Sequence, residues 1–280
     1  MTYEQLVQKY KTGMEPFYAN PADFAIEPFR IFGPVYYVGD KHVCVHLVDT
    51  GDGLLLIDSG YPHTKHLLVE SIYHLGFDPH DIRCILHTHA HADHFGASSE
   101  FRKLYGCELV ISRIDAEGLA NGTVSTVSAP LKVYPEFQRT IEDGEVFKMG
   151  NISILCRLIP GHTSGTMAFF FDVTENGQTL RAGLFGGAGL GCIRRCSLEK
   201  WGLPLSLRQQ LLDSVERMRS EHVDVHLGNH PYNNHTLEKR AQQLESGGNP
   251  FIDPTSWGSF LDHTKATVEK MLAEEEAERA

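Results

Sequence analysis

Two hydrophobic periods alternate along the chain. Runs rich in β-branched and aromatic residues, "FRIFGPVYYVG" (29–39) and "HVCVHLVDTGDGLLLIDSG" (42–60), predict hairpin strands with the Asp-Gly step of "TGDG" as a turn. Leu67, Leu68, Ile72 and Leu75 then repeat at helical spacing, stopped by Gly76. "DIRCILH" predicts a strand, "HFGASSEFRKLYG" a helix closed by Gly106, and "CELVIS" a third short strand. The second half repeats this alternation. Segments 145–161 and 167–185 predict paired strands with "ENGQ" as a turn; 206–221 predicts an amphipathic helix opening on a Ser206 cap, and 223–228 a strand. Residues 121–140 show no period and read as a loop. No Pro- or Ser-rich linker divides the halves. The pattern predicts one α/β domain over 1–280, two packed sheets with helices outside, with 1–27 a polar N-terminal extension and 257–280 a closing helix whose charged tail frays.

Composition narrows the function classes. A formal net charge of −11 opposes binding to a nucleic-acid backbone, which needs a basic footprint. No apolar run approaches the ~18 residues of a membrane span, so no membrane partner is expected. The start, "MTYEQLVQKYKTG", has no basic segment followed by an apolar one, which predicts a cytoplasmic protein, or a periplasmic or secreted one if a leader was trimmed. Cys44, Cys84, Cys107 and Cys156 fall in apolar runs and read as buried free thiols. Cys192 and Cys196, in "GCIRRCS", leave a loop disulfide or redox pair open. The sequence sets no oligomeric state.

One stretch departs from ordinary usage. "LHTHAHADHFG" (86–96) crowds four histidines and an aspartate between a strand and a helix. His89 and His91, spaced by one alanine, can aim at one point, and Asp93 and His94 at a second point nearby. Imidazole nitrogens and carboxylate oxygens are zinc ligands. Four residues cannot complete two tetrahedral sites, so further histidines at strand ends are required. His162 in "IPGHTSGT" and His230 in "HLGNHPYNN" meet that requirement. His87 lies outside the motif and is expected to pack beside it.

The HxHxDH motif, "PGHTSG" and "NHP" together resemble the metallo-β-lactamase superfamily, over about residues 28–235. The resemblance implies an αββα sandwich of two mixed β-sheets flanked by helices, with two zinc ions at the sheet edge. It implies His89, His91 and His162 as ligands of the first zinc, and Asp93, His94 and His230 of the second. Asp58, in "LLLIDSG", is similar to the family's aspartate that braces the ligand loops. Asp93 would also orient the nucleophile and so act in catalysis.

The family's thioesterases and lactonases carry a metal-bridging aspartate where this chain reads "RAGLFGGAGLG", without a carboxylate. The remaining set resembles class B β-lactamases of the third subclass, which implies cleavage of a small-molecule cyclic amide by metal-bound hydroxide and a role in antibiotic resistance. Gly187 and Gly189 stand where that subclass places serines that seat the substrate carboxylate, and Arg194 and Arg195 are the nearby candidates to replace them. A zinc hydrolase of a lactone, thioester or other small ester or amide is the first alternative; a non-catalytic zinc-binding protein is the second.

Overall fold

The computed structural model describes residues 1–126 and 134–278. Its elements, in chain order, begin with α1 (Tyr3–Ala19), β1 (Phe29–Phe32), β2 (Val35–Tyr37), β3 (His46–Asp49), β4 (Leu54–Ile57), α2 (Lys65–His74) and β5 (Ile82–Leu86). There follow α3 (Ala92–Phe95), α4 (Ser98–Tyr105), β6 (Glu108–Ser112), α5 (Arg113–Asn121), β7 (Arg139–Ile141), β8 (Val146–Met149) and β9 (Ile152–Leu158). The chain closes with β10 (Met167–Glu175), β11 (Gln178–Phe185), α6 (Arg195–Lys200), α7 (Leu207–Arg217), β12 (Val225–Leu227), α8 (Thr236–Ser246) and α9 (Pro254–Ala277). Among these residues, β1 to β7 form one sheet in sequence order, and a second sheet runs β12-β11-β10-β9-β8. Both are mixed. The first is antiparallel through β4 and parallel from β4 to β7; the second is antiparallel except where β11 pairs with β12.

Strand alternation accounts for the layering. In β4, Leu55 and Ile57 face the second sheet, while Leu54 and Leu56 face the helix side with Leu68, Ile72 and Phe101. In β10, Met167, Phe169 and Phe171 meet the first sheet, while Ala168 and Phe170 pack under α7 and α9 against Leu211, Trp257 and Leu261. Strands apolar on both faces need cover on both. Each fully buried large side chain contributes about 1.5–3 kcal/mol. The "ENGQ" turn forms as expected, with Asn176 and Gly177 both at positive φ between β10 and β11. No helix among the described residues is long and apolar enough to cross a membrane.

The structure adds local detail and corrects one cap. The N-terminal extension carries a helix, α1, opened by a Thr2–Gln5 capping box. Its stripe Leu6, Tyr10, Met14 and Phe17 has helical spacing, obscured by the polar residues between. Ser206 caps nothing: its backbone is already helical (φ −62°, ψ −18°), so its hydroxyl cannot turn back to the first amides. Of the 121–140 stretch, Asn121 ends α5 and Arg139 begins β7, while 127–133 lie outside the described residues.

Candidate metal centre

The strands deliver their C-terminal ends to one edge of the sandwich. Asp58 follows β4, the His87–His94 loop follows β5, His162 follows β9, and His230 follows β12. His89 Nε2, His91 Nδ1 and His162 Nε2 stand 3.0, 3.0 and 3.1 Å apart, a near-equilateral triangle. A tetrahedral zinc with bonds of about 2.0–2.1 Å spaces its ligand nitrogens roughly 3.3 Å apart. The triangle fits.

Hydrogen-bond partners on the far side of each ring assign the protons. His91 Nε2 donates to the Ser125 carbonyl at 2.7 Å, and His162 Nδ1 to the Gly189 carbonyl at 2.8 Å, so their other nitrogens carry lone pairs. The Thr88 hydroxyl donates to Asp58 Oδ2, which leaves its oxygen to accept from His89 Nδ1 at 3.0 Å. All three inward nitrogens are therefore lone-pair donors facing one point. Burial, reinforced by the neighbouring imidazoles, lowers the pKa of His89 and His162 well below the ordinary histidine value, and burial lowers that of His91. Three neutral imidazoles converging without a proton between them make a cation site.

The second cluster is Asp93, His94 and His230. Asp93 Oδ2 lies 3.4 Å from His94 Nε2 and 3.6 Å from His230 Nε2. His94 Nδ1 donates to Asp58 Oδ2 at 2.7 Å, and His230 Nδ1 to the His42 carbonyl at 2.6 Å, so both Nε2 atoms point inward, toward Asp93. His94 Nε2 is buried with no hydrogen-bond partner among the described residues, the position a metal would fill. Burial lowers the His94 pKa, but the Asp93 and Asp58 carboxylates outweigh it and raise it to about 10. The pocket calls for positive charge. The rings of His89 and His94 are 4.2 Å apart, so the two clusters are adjacent.

Asp58 sits in the left-handed region (φ 64°), which aspartate tolerates better than most residues. That turn lets one carboxylate accept from Thr88 N, Thr88 Oγ1 and His94 Nδ1, tying both clusters together. Asp115 does similar work and was not foreseen. Fully buried at the start of α5, it accepts from Ala90 N, Thr163 Oγ1 and Gly165 N at 2.8, 2.8 and 2.9 Å, joining the His89–His91 loop to the His162 loop. Its only sequence signal is an acidic residue three after a strand-ending serine, which reads as an ordinary helix cap. His87 packs beside the site as expected, between the Val110 carbonyl and Ser98.

Gly187 and Gly189 pack against the His162 ring. A Cβ on Gly187 would lie 2.3 Å from His162 Cδ2, and one on Gly189 3.2 Å from Cε1, so the glycines make room for His162. Arg194 and Arg195 do not enter the cavity. They turn to Glu275 and Glu199, because α6 and α9 bring these carboxylates within 3.7 and 3.4 Å. Cys192 and Cys196 are free thiols. The Cys192 sulfur lies 3.1 Å from His162 Nδ1, on the side of the ring away from the triangle.

Above the clusters opens a cavity of about 260 Å³ reached by Tyr10 and Met14 of α1, with Lys41, His42, Tyr61 and Tyr232. Tyr10 and Tyr61 share a hydroxyl contact of 3.2 Å, and Tyr232 stacks on His230. These wall residues come from segments that carry no motif.

The fold and the two clusters define a class. Residues 38–175 match the family model described as the metallo-beta-lactamase superfamily, and the chain carries a domain of that superfamily. The structure is similar to that of BJP-1, a subclass B3 metallo-beta-lactamase of Bradyrhizobium japonicum, with a TM-score of 0.81 and 26% identity over 92% of this chain and 97% of that one. MEM-A1, a subclass B3 metallo-beta-lactamase from a soil metagenome library, gives 0.79 and 27% over 91% and 98%. By sequence, a hydroxyacylglutathione hydrolase of Methylococcus capsulatus is 30% identical over 139 residues, 49% of this chain and 43% of that protein. The chain thus spans less than half the length of that curated relative.

Proposed function

We propose that the protein is a dinuclear zinc hydrolase that opens a cyclic amide of the β-lactam type. The observation that carries the reading is the paired donor set: three locked imidazole lone pairs beside an Asp-His-His cluster, at the floor of one cavity. His89, His91 and His162 would hold one zinc, and Asp93, His94 and His230 the other. Zinc bound there supplies Lewis acidity, lowering the pKa of water to about 7 and polarising a carbonyl. Asp93 turns Oδ2 toward His94 and His230, which keeps Oδ1 to accept a hydrogen bond from water and orient it toward the carbonyl. The Lys41 ammonium, which spends one donor on the Asp23 carbonyl, and the Tyr10–Tyr61 hydroxyl pair supply donors at the cavity wall for a substrate carboxylate. Asp58 and Asp115 hold the ligand loops in register throughout.

The loop after β11 carries no carboxylate from Gly186 to Gly191, and the similarity to subclass B3 structures along nearly the whole chain favours a lactam. The relation to a hydroxyacylglutathione hydrolase favours a second reading, hydrolysis of a small thioester or ester. Turnover of a chromogenic cephalosporin by the zinc-loaded protein, abolished by chelation and restored by zinc, is the expected result. Turnover of thioesters or lactones with an inert cephalosporin would favour the second reading. Inertness toward all three classes with both zincs bound would leave a zinc-binding protein without this activity.

A further inference from the structure

A second, larger cavity of about 470 Å³ adjoins the metal cavity. Gly189, in the loop after β11, and the exposed Tyr232 line both, so the two spaces meet at these residues. The larger space lies among the 188–190 loop, the start of α8 and the first turns of α9. Ala188, Leu190 and Phe260 give it an apolar floor. At its far side sits Lys239, 8% exposed. Its ammonium reaches Ser256 Oγ at 3.3 Å and Asp253 Oδ2 at 3.4 Å, and among the described residues no third acceptor meets it. An ammonium has three donors.

One ion pair, Lys239 with Asp253, faces this space. Asp253 is already engaged: Oδ1 caps α9 through Thr255 N and Oγ1, and Oδ2 faces Lys239. The imidazoles of His235 and His263 add polar groups to the same lining. Ser256 Oγ is also committed, lying 3.1 Å from the buried His226 Nδ1. A buried cation with donor capacity left, beside an apolar floor in the cavity next to the metal clusters, suits one kind of guest.

We propose that this cavity is a substrate subsite for an extended apolar arm ending in a carboxylate, recognised by Lys239, while the scissile carbonyl lies at the metals. The inference rests on the zinc-hydrolase reading and adds the shape of the substrate to it. Tyr232, stacked on His230, is the edge over which the arm passes. Substrates that fill only the metal cavity leave this subsite unused, so affinity grows with the arm.

The test is calorimetric titration of the zinc-loaded protein with hydroxamates, which bind zinc through the same end group whatever bond the enzyme cleaves. Acetohydroxamate, octanohydroxamate and the monohydroxamate of an eight-carbon dicarboxylic acid are compared. The methyl-tipped long chain is expected to bind at least about tenfold tighter than acetohydroxamate from apolar burial. The carboxylate tip is expected to add about a further tenfold from a charge-assisted hydrogen bond. In Lys239→Met that tipped-to-untipped ratio falls to one or below, and Lys239→Arg restores it; melting temperatures of both variants verify folding. Long chains no tighter than acetohydroxamate, no advantage for the carboxylate, or an advantage that survives Lys239→Met would each overturn the subsite. Failure of every hydroxamate, acetohydroxamate included, would instead overturn the zinc-centre reading, and the subsite with it.

Discussion

Replacing Asp58 by asparagine tests the metal centre without touching a ligand. The carboxylate accepts three hydrogen bonds: Thr88 N on Oδ1, and Thr88 Oγ1 and His94 Nδ1 on Oδ2. Asparagine keeps one oxygen and substitutes an NH₂ for the other, so two arrangements are available. With its oxygen at the Oδ2 position, the amide nitrogen meets the Thr88 N–H, and a buried donor is left unpaired at a cost of about 1–3 kcal/mol. With its oxygen at the Oδ1 position, the NH₂ donates to His94 Nδ1 and drives the His94 proton to Nε2, the atom aimed at Asp93. Thr88 must then turn its hydroxyl proton to His89 Nδ1, which moves a proton into the first cluster as well. Either outcome weakens zinc binding, by about 10–100-fold on the scale of such supporting contacts. Competition titration with a chromophoric chelator measures both zinc affinities, and melting in excess chelator isolates the folding term. Two zincs held by Asp58→Asn within about twofold of the parent affinities would refute the tautomer reasoning.

Three further outcomes follow from the geometry. Gly187→Ala places a Cβ 2.3 Å from His162 Cδ2, so zinc stoichiometry is expected to fall from two to one; full occupancy would sink the steric reading. Chelating the zinc is expected to lower the melting temperature, because a free metal level of 1,000 times Kd stabilises by about 4 kcal/mol; an unchanged melt would contradict a cation site at the converging lone pairs. Burial lowers the pKa of His46 and His87 to about 4 and of His226 to about 3, so these rings stay neutral in the fold but take protons once unfolded. The contribution of these three rings is therefore level above the unfolded value near 6.5 and falls between pH 6.5 and 4, by roughly 3 kcal/mol per ring. Asp115, raised to about 6 by burial, gains its proton first in the fold and offsets about one of the three. A urea midpoint constant from pH 7 to 4.5 in excess chelator would count against it.

What the sequence determined by itself is the local chemistry and the layering. Residues that alternate on one strand settle both of its faces, as Leu54 to Ile57 do, and the short spacing of His89, His91, Asp93 and His94 confines them to one loop. His162 and His230 were legible because glycine and proline beside a strand end mark a presented side chain. The tertiary structure alone decided what surrounds them. Asp115 clamps two loops through atoms far apart in sequence, with partners at Ala90, Thr163 and Gly165, and no local pattern encodes such a meeting. Tyr10 and Met14 reach the cavity only because α1 packs over it. Arg194 and Arg195 looked available for a substrate, yet α9 supplies Glu275 and α6 supplies Glu199. Gly187 read as a missing contact until the fold set His162 against it. Periodicity and spacing act within a few residues of the chain, whereas cavities, ion pairs and close approaches depend on which distant segments the packed core brings together.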